Sequence, residues 1–238
     1  MLIKKIAIIV PTYNEKENVG ILIHKISDVL KGSNFNYRIT IVDDNSPDGT
    51  VDVIDKLKSK FKIKLVRRKE KLGLGSAYVT GFKDVLKSKP NFIFQMDADL
   101  SHDPKYIPKF IEKINQGYDV VVGSRLIEGG KIVGWNFTRR LTSWAGNFIG
   151  RHIAEISVSD LTSGFRVYKR EVLESLDLDG IKSSSYDFQL EMLSRVIEKG
   201  FRVGVIPIVF HDRKYGKSKL TKLDQLRFLL TALRIRFS

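Results

Sequence analysis

The stretch Asn91-Phe-Ile-Phe-Gln-Met-Asp97-Ala-Asp99-Leu-Ser-His-Asp103-Pro104 is an apolar run that ends in two carboxylates one residue apart. In an extended segment residues i and i+2 point the same way, so Asp97 and Asp99 are expected to project together from the end of a buried strand. Like charges that close repel, and a divalent cation such as Mg²⁺ or Mn²⁺ with a bound phosphate is the usual relief. The plainer reading is helix capping, since Asp103-Pro104 has the form of an N-cap followed by proline at the first helical position. Capping, however, needs only one of these acids. A calcium EF-hand loop is excluded, because counting from Asp97 its sixth and twelfth positions hold His102 and Pro108 in place of Gly and Glu.

Outward from this stretch, short apolar strands alternate with helical patterns. Strands are expected at Ile6 to Val10, Arg38 to Val42, Lys64 to Arg67, Phe92 to Met96 and Val120 to Gly123. Helices are expected between them, near Val19 to Leu30, Val51 to Ser59, Ser76 to Lys87 and Tyr106 to Gln116. Alternation at this spacing predicts βαβ units and an α/β fold with a mostly parallel sheet flanked by helices. Ligands on such sheets bind at the carboxyl ends of the strands, where the motifs of this chain fall. The second half is more helical, with helices expected at Thr138 to Ile153, Ser185 to Lys199 and Leu220 to Arg234, and one more strand at Val203 to Phe210. There is no internal repeat or long linker, so residues 1–238 are expected to form a single domain.

The 238 residues contain no cysteine, which excludes a disulfide framework, a thiolate nucleophile and a thiolate metal site. Lys and Arg number 41 against 27 Asp and Glu, a formal charge of +14 that calls for an anionic partner or a lysine-rich solvated surface. No helix-turn-helix, zinc-finger or RRM signature appears, so nucleic acid is not the expected partner. Met1 to Pro11 has the order of a signal peptide, but its apolar part is short and runs into a polar turn, which suits a first strand. No stretch approaches the roughly 18 apolar residues of a membrane span. Lys219 to Arg234 instead reads either as an interfacial amphipathic helix, with 220–238 lying at a membrane surface, or as a helix packed on its own core. The four histidines lack metal or triad spacing and are expected to be structural or on the surface. Trp135 and Trp144 either line a groove or pack.

The first strand leads to Pro11-Thr-Tyr13-Asn-Glu15, and the second to Asp43-Asp44-Asn-Ser-Pro-Asp-Gly49-Thr50. The latter contains Asx-turn and N-cap chemistry, yet a turn needs no second carboxylate. One of Asp43 and Asp44 is therefore expected to face the crevice, where it can accept hydrogen bonds from a ribose or a base. Tyr13 and Glu15 either stack on and hydrogen-bond a base or simply pack. The third strand leads to Leu72-Gly73-Leu-Gly75-Ser-Ala-Tyr78, which begins like G-x-G-x-x-G but ends in Tyr and lies on the wrong strand for a dinucleotide fingerprint. Its glycines can still bring backbone N–H groups near a phosphate.

Together with Gly123-Ser-Arg125, Asp160-Leu-Thr-Ser-Gly-Phe-Arg166 and Asp212-Arg-Lys-Tyr-Gly-Lys-Ser-Lys-Leu220, these motifs resemble the family-two nucleotide-sugar glycosyltransferases of the GT-A fold. More closely, they resemble the dolichyl-phosphate mannose synthase catalytic subunits of the polyprenyl-phosphate branch. The resemblance implies inverting transfer of mannose from GDP-mannose to dolichyl or another polyprenyl phosphate, with Mg²⁺ or Mn²⁺ as cofactor. Transfer of glucose from UDP-glucose, or another family-two reaction, is the alternative. It also implies peripheral association with the cytoplasmic face of a membrane, either directly or through a separate membrane-anchoring subunit. By the same likeness Pro11, Tyr13, Glu15, Val42 and Asp44 match nucleoside-binding positions, and Asp97, Ala98 and Asp99 match the metal-diphosphate motif. Ser101 stands where some relatives carry a glutamine that is a third metal ligand. Arg125, Arg213 and Lys219 match positions that contact the phosphates and serve catalysis, while Arg139 and Ser143 match an acceptor-phosphate site. Trp144 replaces an arginine found in some relatives. Gln189 and Glu191 lie near the place of the Q-x-x-R-W signature of processive relatives, which is missing here, so polymerisation is not expected.

Overall fold

The computed structural model describes residues 4–213 and 221–237. In chain order the first half comprises β1 (Lys4–Thr12), α1 (Lys16–Leu30), β2 (Phe35–Asp43), α2 (Thr50–Leu57), β3 (Ile63–Arg67), α3 (Leu74–Leu86), β4 (Phe92–Gln95), a 3₁₀ turn (Pro104–Tyr106), α4 (Ile107–Asn115) and β5 (Val120–Ser124). The remainder comprises β6 (Lys131–Val133), α5 (Phe137–Ala154), β7 (Arg166–Lys169), α6 (Arg170–Ser175), α7 (Phe188–Glu198), β8 (Val203–Pro207), β9 (Val209–His211) and α8 (Lys222–Arg236).

One sheet has the strand order β3-β2-β1-β4-β7-β5-β8. Within it β7 runs antiparallel to both β4 and β5, and the other neighbours are parallel. The mostly parallel α/β architecture expected from the alternation is therefore the one formed. Strand β1 shows why the sequence allows it. Ile6, Ile8 and Val10 enter the core under α1, α2 and α4, while Ala7 and Ile9 enter the core under α3, α6 and α7. A central strand covered on both faces has to be apolar throughout, and period-two alternation then sends its side chains to two separate layers.

Strands β6 and β7 and helix α6 answer to no expected element, and one expected strand is divided. Residues 166–169 were not expected to form a strand, because Arg-Val-Tyr-Lys carries a charge at each end and shows no apolar run. Arg166 is nonetheless fully buried, its guanidinium donating to the carbonyls of Leu161, Ser163 and Gln189 at 2.9, 2.8 and 2.7 Å. The single strand expected over Val203 to Phe210 is two: β8 extends the main sheet, and β9 pairs in parallel with β6 in a separate two-stranded sheet. The switch comes at Pro207-Ile208, where Ile208 donates to the Ser124 carbonyl and accepts from the Lys131 N–H.

The reversed polarity of β7 positions the site. A parallel strand delivers the loop that follows it to the carboxyl edge of the sheet, whereas an antiparallel strand delivers the loop that precedes it. Residues 160–165 therefore meet the loops that follow β4 and β5. Among those loops, Leu100 holds φ at 66°, a left-handed conformation that a branched side chain adopts at a cost of about 1–3 kcal/mol. It turns the chain sharply between Asp99 and Ser101.

A third core lies under α5 and α8, where Phe228 and Ala232 are buried with Val122, Leu161, Leu190 and Leu193. Gly150 makes room for it, since a Cβ there would sit 2.7 Å from the Phe228 ring.

Candidate active site

The carboxyl edge of the sheet opens into a cleft of about 430 Å³. The β1 loop contributes Pro11, Tyr13 and Glu15, and the turns after β2 and β3 contribute Asp44, Lys71 and Gly73. Asp97, Ala98 and Asp99 form the floor, and Tyr186, Arg213 and the α8 residues Leu223, Asp224 and Arg227 close the far side.

The two adjacent acids after β2 have different duties. Asp43 is fully buried and holds the turn together, accepting from the Thr12 hydroxyl at 2.7 Å, the Ser46 hydroxyl at 2.6 Å and the Ser46 N–H at 2.9 Å. Asp44 is the one that faces the cleft. Arg68 donates to it at 2.8 Å, and both side chains of this pair are 7% exposed. Burial pushes the Asp44 carboxyl above its ordinary range, with Arg68 acting in the opposite direction. Tyr13 lies beneath Lys71, whose ammonium sits 4.4 Å from the ring centre, a cation–π contact. Val42 does not line the cleft: it is fully buried in the core beneath α3.

At the centre, Asp99 accepts from the Ser101 hydroxyl at 2.5 Å and its own backbone partner, the Ser101 N–H, at 3.1 Å. Ser101 is 1% exposed, so its hydroxyl is spent on orienting Asp99. The other Asp99 oxygen meets Arg213 at 3.1 Å. Arg213 is followed backwards by Asp212, whose two oxygens accept from Arg139 at 3.0 Å each. Arg139 also lies over the Trp135 ring, 4.0 Å from its centre. A continuous line of charges, Asp99, Arg213, Asp212 and Arg139, thus joins the cleft floor to α5. Ser143 stands one helical turn beyond Arg139 on that helix, outside the cleft lining. Lys219 lies outside the described residues.

The description of Glycosyl transferase family 2 matches residues 7–177 of this sequence. The chain belongs to that family. It is 36% identical to the undecaprenyl-phosphate mannosyltransferase of Micrococcus luteus over 218 residues, which is 91% of this chain and 88% of the relative. It is 35% identical to the polyprenol monophosphomannose synthase of Mycolicibacterium smegmatis over 216 residues, 90% of this chain and 80% of that one. Among solved structures it superposes on the glucosyl-3-phosphoglycerate synthase of Mycobacterium tuberculosis with a TM-score of 0.72 at 18% identity, covering 98% of this chain and 80% of that one. That likeness confirms the fold expected from the resemblance. The same synthase has been crystallised with Mn²⁺ and UDP, and with Mg²⁺ and UDP.

In this family-2 glycosyltransferase the acids at the cleft floor fit a hard divalent cation. Asp97 and Asp99 supply carboxylate oxygens, the donors Mg²⁺ and Mn²⁺ prefer. No group of three or more His, Cys, Asp or Glu side chains able to hold a metal occurs among the described residues. Two protein carboxylates, completed by diphosphate oxygens and water, are the usual way Mg²⁺ is held beside a nucleotide.

Arg125 occupies a different place from the cleft lining. It is 8% exposed and makes a two-pronged pair with Asp160, Nε to Oδ2 and Nη2 to Oδ1 both at 2.7 Å, with a third bond to the Thr162 hydroxyl. Burial alone would raise the Asp160 carboxyl, yet Arg125 beside it holds it below the usual carboxylate range. The pair fastens the loop before β7 to the end of β5, and so shapes the wall behind Asp97.

Several residues of the site carried no individual signal in the sequence. Arg68 looked like one basic residue in a basic stretch. Tyr186 lines the cleft, and burial together with nearby Asp97 raises its hydroxyl pKa. His102 is structural, as expected, and lies under the cleft floor: its Nδ1 accepts the Asp97 N–H at 3.1 Å. Burial lowers its pKa against the pull of Asp97 and Asp99. Tyr78 donates its hydroxyl to Asp97 at 2.7 Å, and burial followed by the Asp97 charge pushes the phenol well above its ordinary range.

Proposed function

We propose that this glycosyltransferase moves mannose from GDP-mannose onto the phosphate of a polyprenol, dolichol included, with inversion at the sugar. The observation that carries the reading is the line of charges from the Asp97–Asp99 floor through Arg213 and Asp212 to Arg139. On this reading Arg213 and Arg139 would flank the point where a diphosphate and an acceptor phosphate meet, which the contacts of both along that line support. The two relatives at 35–36% identity, named for mannosyl transfer to polyprenyl phosphates, support the sugar and the acceptor class.

The chemistry asks little of a base. A phosphate monoester has a second pKa near 6, so the acceptor is mostly a dianion at pH 7 and is already nucleophilic. Its oxygen forms the new bond to C1 of mannose as the bond from C1 to the β-phosphate oxygen breaks, and GDP leaves with that electron pair. Attack opposite the leaving group turns an α-linked donor into a β-linked product. The protein's task is to hold two anions together in line, and Arg213 and Arg139 do so by position and charge. Bound at Asp97 and Asp99, Mg²⁺ or Mn²⁺ would neutralise charge growing on the leaving diphosphate. Asp44, Tyr13 and Glu15 would take the nucleoside at the opposite end of the cleft. Ser143 and Lys219 are assigned to phosphate contacts by resemblance.

The test is transfer of label from GDP-mannose, with UDP-glucose in parallel, to dolichyl and undecaprenyl phosphates in vesicles with Mn²⁺, Mg²⁺ or EDTA. Metal-dependent label in an acid-labile lipid from GDP-mannose alone is the expected result. Label from UDP-glucose alone would transfer the reading to a glucosyltransferase. Label from neither donor would overturn it for the isolated chain and direct attention to a membrane-anchoring partner.

We also assign α5 and α8 to a membrane surface, where a polyprenyl acceptor resides. Phe137, Leu141, Trp144 and Phe148 form one exposed stripe on α5, and Leu223, Leu226, Leu230 and Leu233 form another on α8. Phe228 and Ala232 face the core, so the two readings of the C-terminal helix apply to its opposite faces. Leu223 belongs both to the stripe and to the cleft lining, which makes the apolar surface continuous with the site. No helix among the described residues is long and apolar enough to cross a membrane. Replacing Trp144 and Leu230 together by glutamate should lower co-sedimentation with anionic vesicles by about tenfold or more, since each removes a large apolar contact and adds repulsion. Unchanged vesicle binding would exclude this surface.

A further inference from the structure

The glycines at the start of α3 have a use besides the approach to a phosphate that their sequence suggests. A Cβ on Gly73 would sit 2.5 Å from the Ser184 carbonyl oxygen, and one on Gly75 would sit 2.6 Å from that of Ser183 and 2.9 Å from Phe188. Gly75 also donates its N–H to the Ser184 carbonyl at 3.0 Å. The glycines therefore let the start of α3 seat directly on the 183–188 segment, closer than any side chain would permit. That seating brings Tyr78 under the cleft. Its ring is fully buried and lies parallel to Phe188, with centres 5.9 Å apart, and its hydroxyl reaches Oδ1 of Asp97 at 2.7 Å.

Asp97 is held from the opposite side as well. His102 accepts its backbone N–H while stacked on Phe165 at 5.2 Å. Gly164 comes so near that an added Cβ would sit 3.0 Å from Asp97 Oδ2. One carboxylate oxygen thus accepts from a fully buried phenol, and the other lies beside Gly164, which leaves it room because it has no side chain.

We propose that Tyr78 is a positioning residue for Asp97, fixing the plane of its carboxylate so that a divalent cation in the cleft meets a ready-oriented oxygen. The proposal rests on the reading of Asp97 as a metal-binding acid given above. Partners that orient a metal-binding carboxylate typically contribute about 10–100-fold to metal affinity. Tyr78→Phe removes the hydroxyl and keeps the buried ring, so the core is preserved.

The experiment is Mn²⁺ titration of the GDP-bound protein followed by electron paramagnetic resonance, alongside GDP affinity in EDTA and the thermal midpoint. Tyr78→Phe should weaken Mn²⁺ binding about tenfold or more and leave metal-free GDP affinity unchanged. Gly164→Ala, which crowds the same carboxylate from the other side, should weaken Mn²⁺ in the same assay. Unchanged Mn²⁺ affinity in Tyr78→Phe would overturn the proposal, whatever happens to the midpoint. An equal loss of metal-free GDP binding would also overturn it, because Tyr78 would then shape the whole pocket. Failure of the wild-type protein to bind Mn²⁺ with GDP would overturn the metal reading itself, a result distinct from failure of the positioning role alone.

Discussion

Asp99→Asn is expected to reduce transfer of the sugar by about 10²–10³-fold in kcat, a loss of about 3–4 kcal/mol of transition-state stabilisation. The asparagine keeps an oxygen for the Ser101 hydroxyl and almost the same volume, so the turn at Leu100 can persist. What is lost is the negative charge that would hold a cation against the leaving diphosphate and that now meets Arg213 at 3.1 Å. The check is steady-state transfer at saturating donor across a range of Mn²⁺, with circular dichroism to confirm the fold. A variant within tenfold of the wild type would remove Asp99 from the catalytic centre.

Asp160→Ala is expected to have the largest effect on stability. Asp160 is 0% exposed, and its removal leaves the Arg125 guanidinium buried without its counter-charge. Breaking such a pair from one side costs about 3–5 kcal/mol. For a domain of this size each kcal/mol moves the melting temperature by roughly 2–4 °C, so a fall of about 6–20 °C should appear in calorimetry. Replacing both partners, Arg125→Met with Asp160→Leu, should recover part of that loss, because no stranded charge remains. The pH dependence has a definite sign. A carboxyl held below its ordinary value of 3.8 contributes fully above that value and loses its contribution as pH falls through the lower folded-state value. The gap between wild type and Asp160→Asn should therefore be constant near neutrality and narrow only in acid below about pH 4. A gap that closed between pH 6 and 8 would assign the stabilisation to another group.

Much of the fold was legible because parallel βαβ units write themselves into sequence as apolar runs separated by helical periods. The run from Phe92 to Gln95 is buried on both faces, so nothing in it competes with the strand reading. Strand β7 was illegible for the opposite reason. Its first residue is an arginine buried on backbone carbonyls, and a rule that places charges outside cannot see a charge neutralised by dipoles that exist only after folding. The same limit applies to the site. Asp97, Asp99 and Asp44 were found because carboxylates at strand ends are conspicuous. Tyr78 and Arg68 were not, since each becomes part of the site only through contacts that span 19 and 24 residues. The pair Asp43-Asp44 shows an intermediate case: strand-end chemistry indicated only that one acid would face the crevice, the resemblance pointed to Asp44, and the hydrogen bonds of Thr12 and Ser46 to Asp43 show why it is Asp44.

The three carbonyls around Arg166 also impose an order in time. Two of them, from Leu161 and Ser163, precede the arginine in the chain, but the third belongs to Gln189. A ribosome that has released β7 has therefore made a strand whose first side chain still lacks one of its acceptors, and β8, which closes the edge beside β5, is later still. At ordinary rates of about 5–20 residues per second, the 23 residues from Arg166 to Gln189 take roughly one to five seconds to synthesise. Through that interval the nascent chain carries an unfinished sheet in its middle, and a translational pause placed there would prolong its exposure to aggregation or chaperone capture.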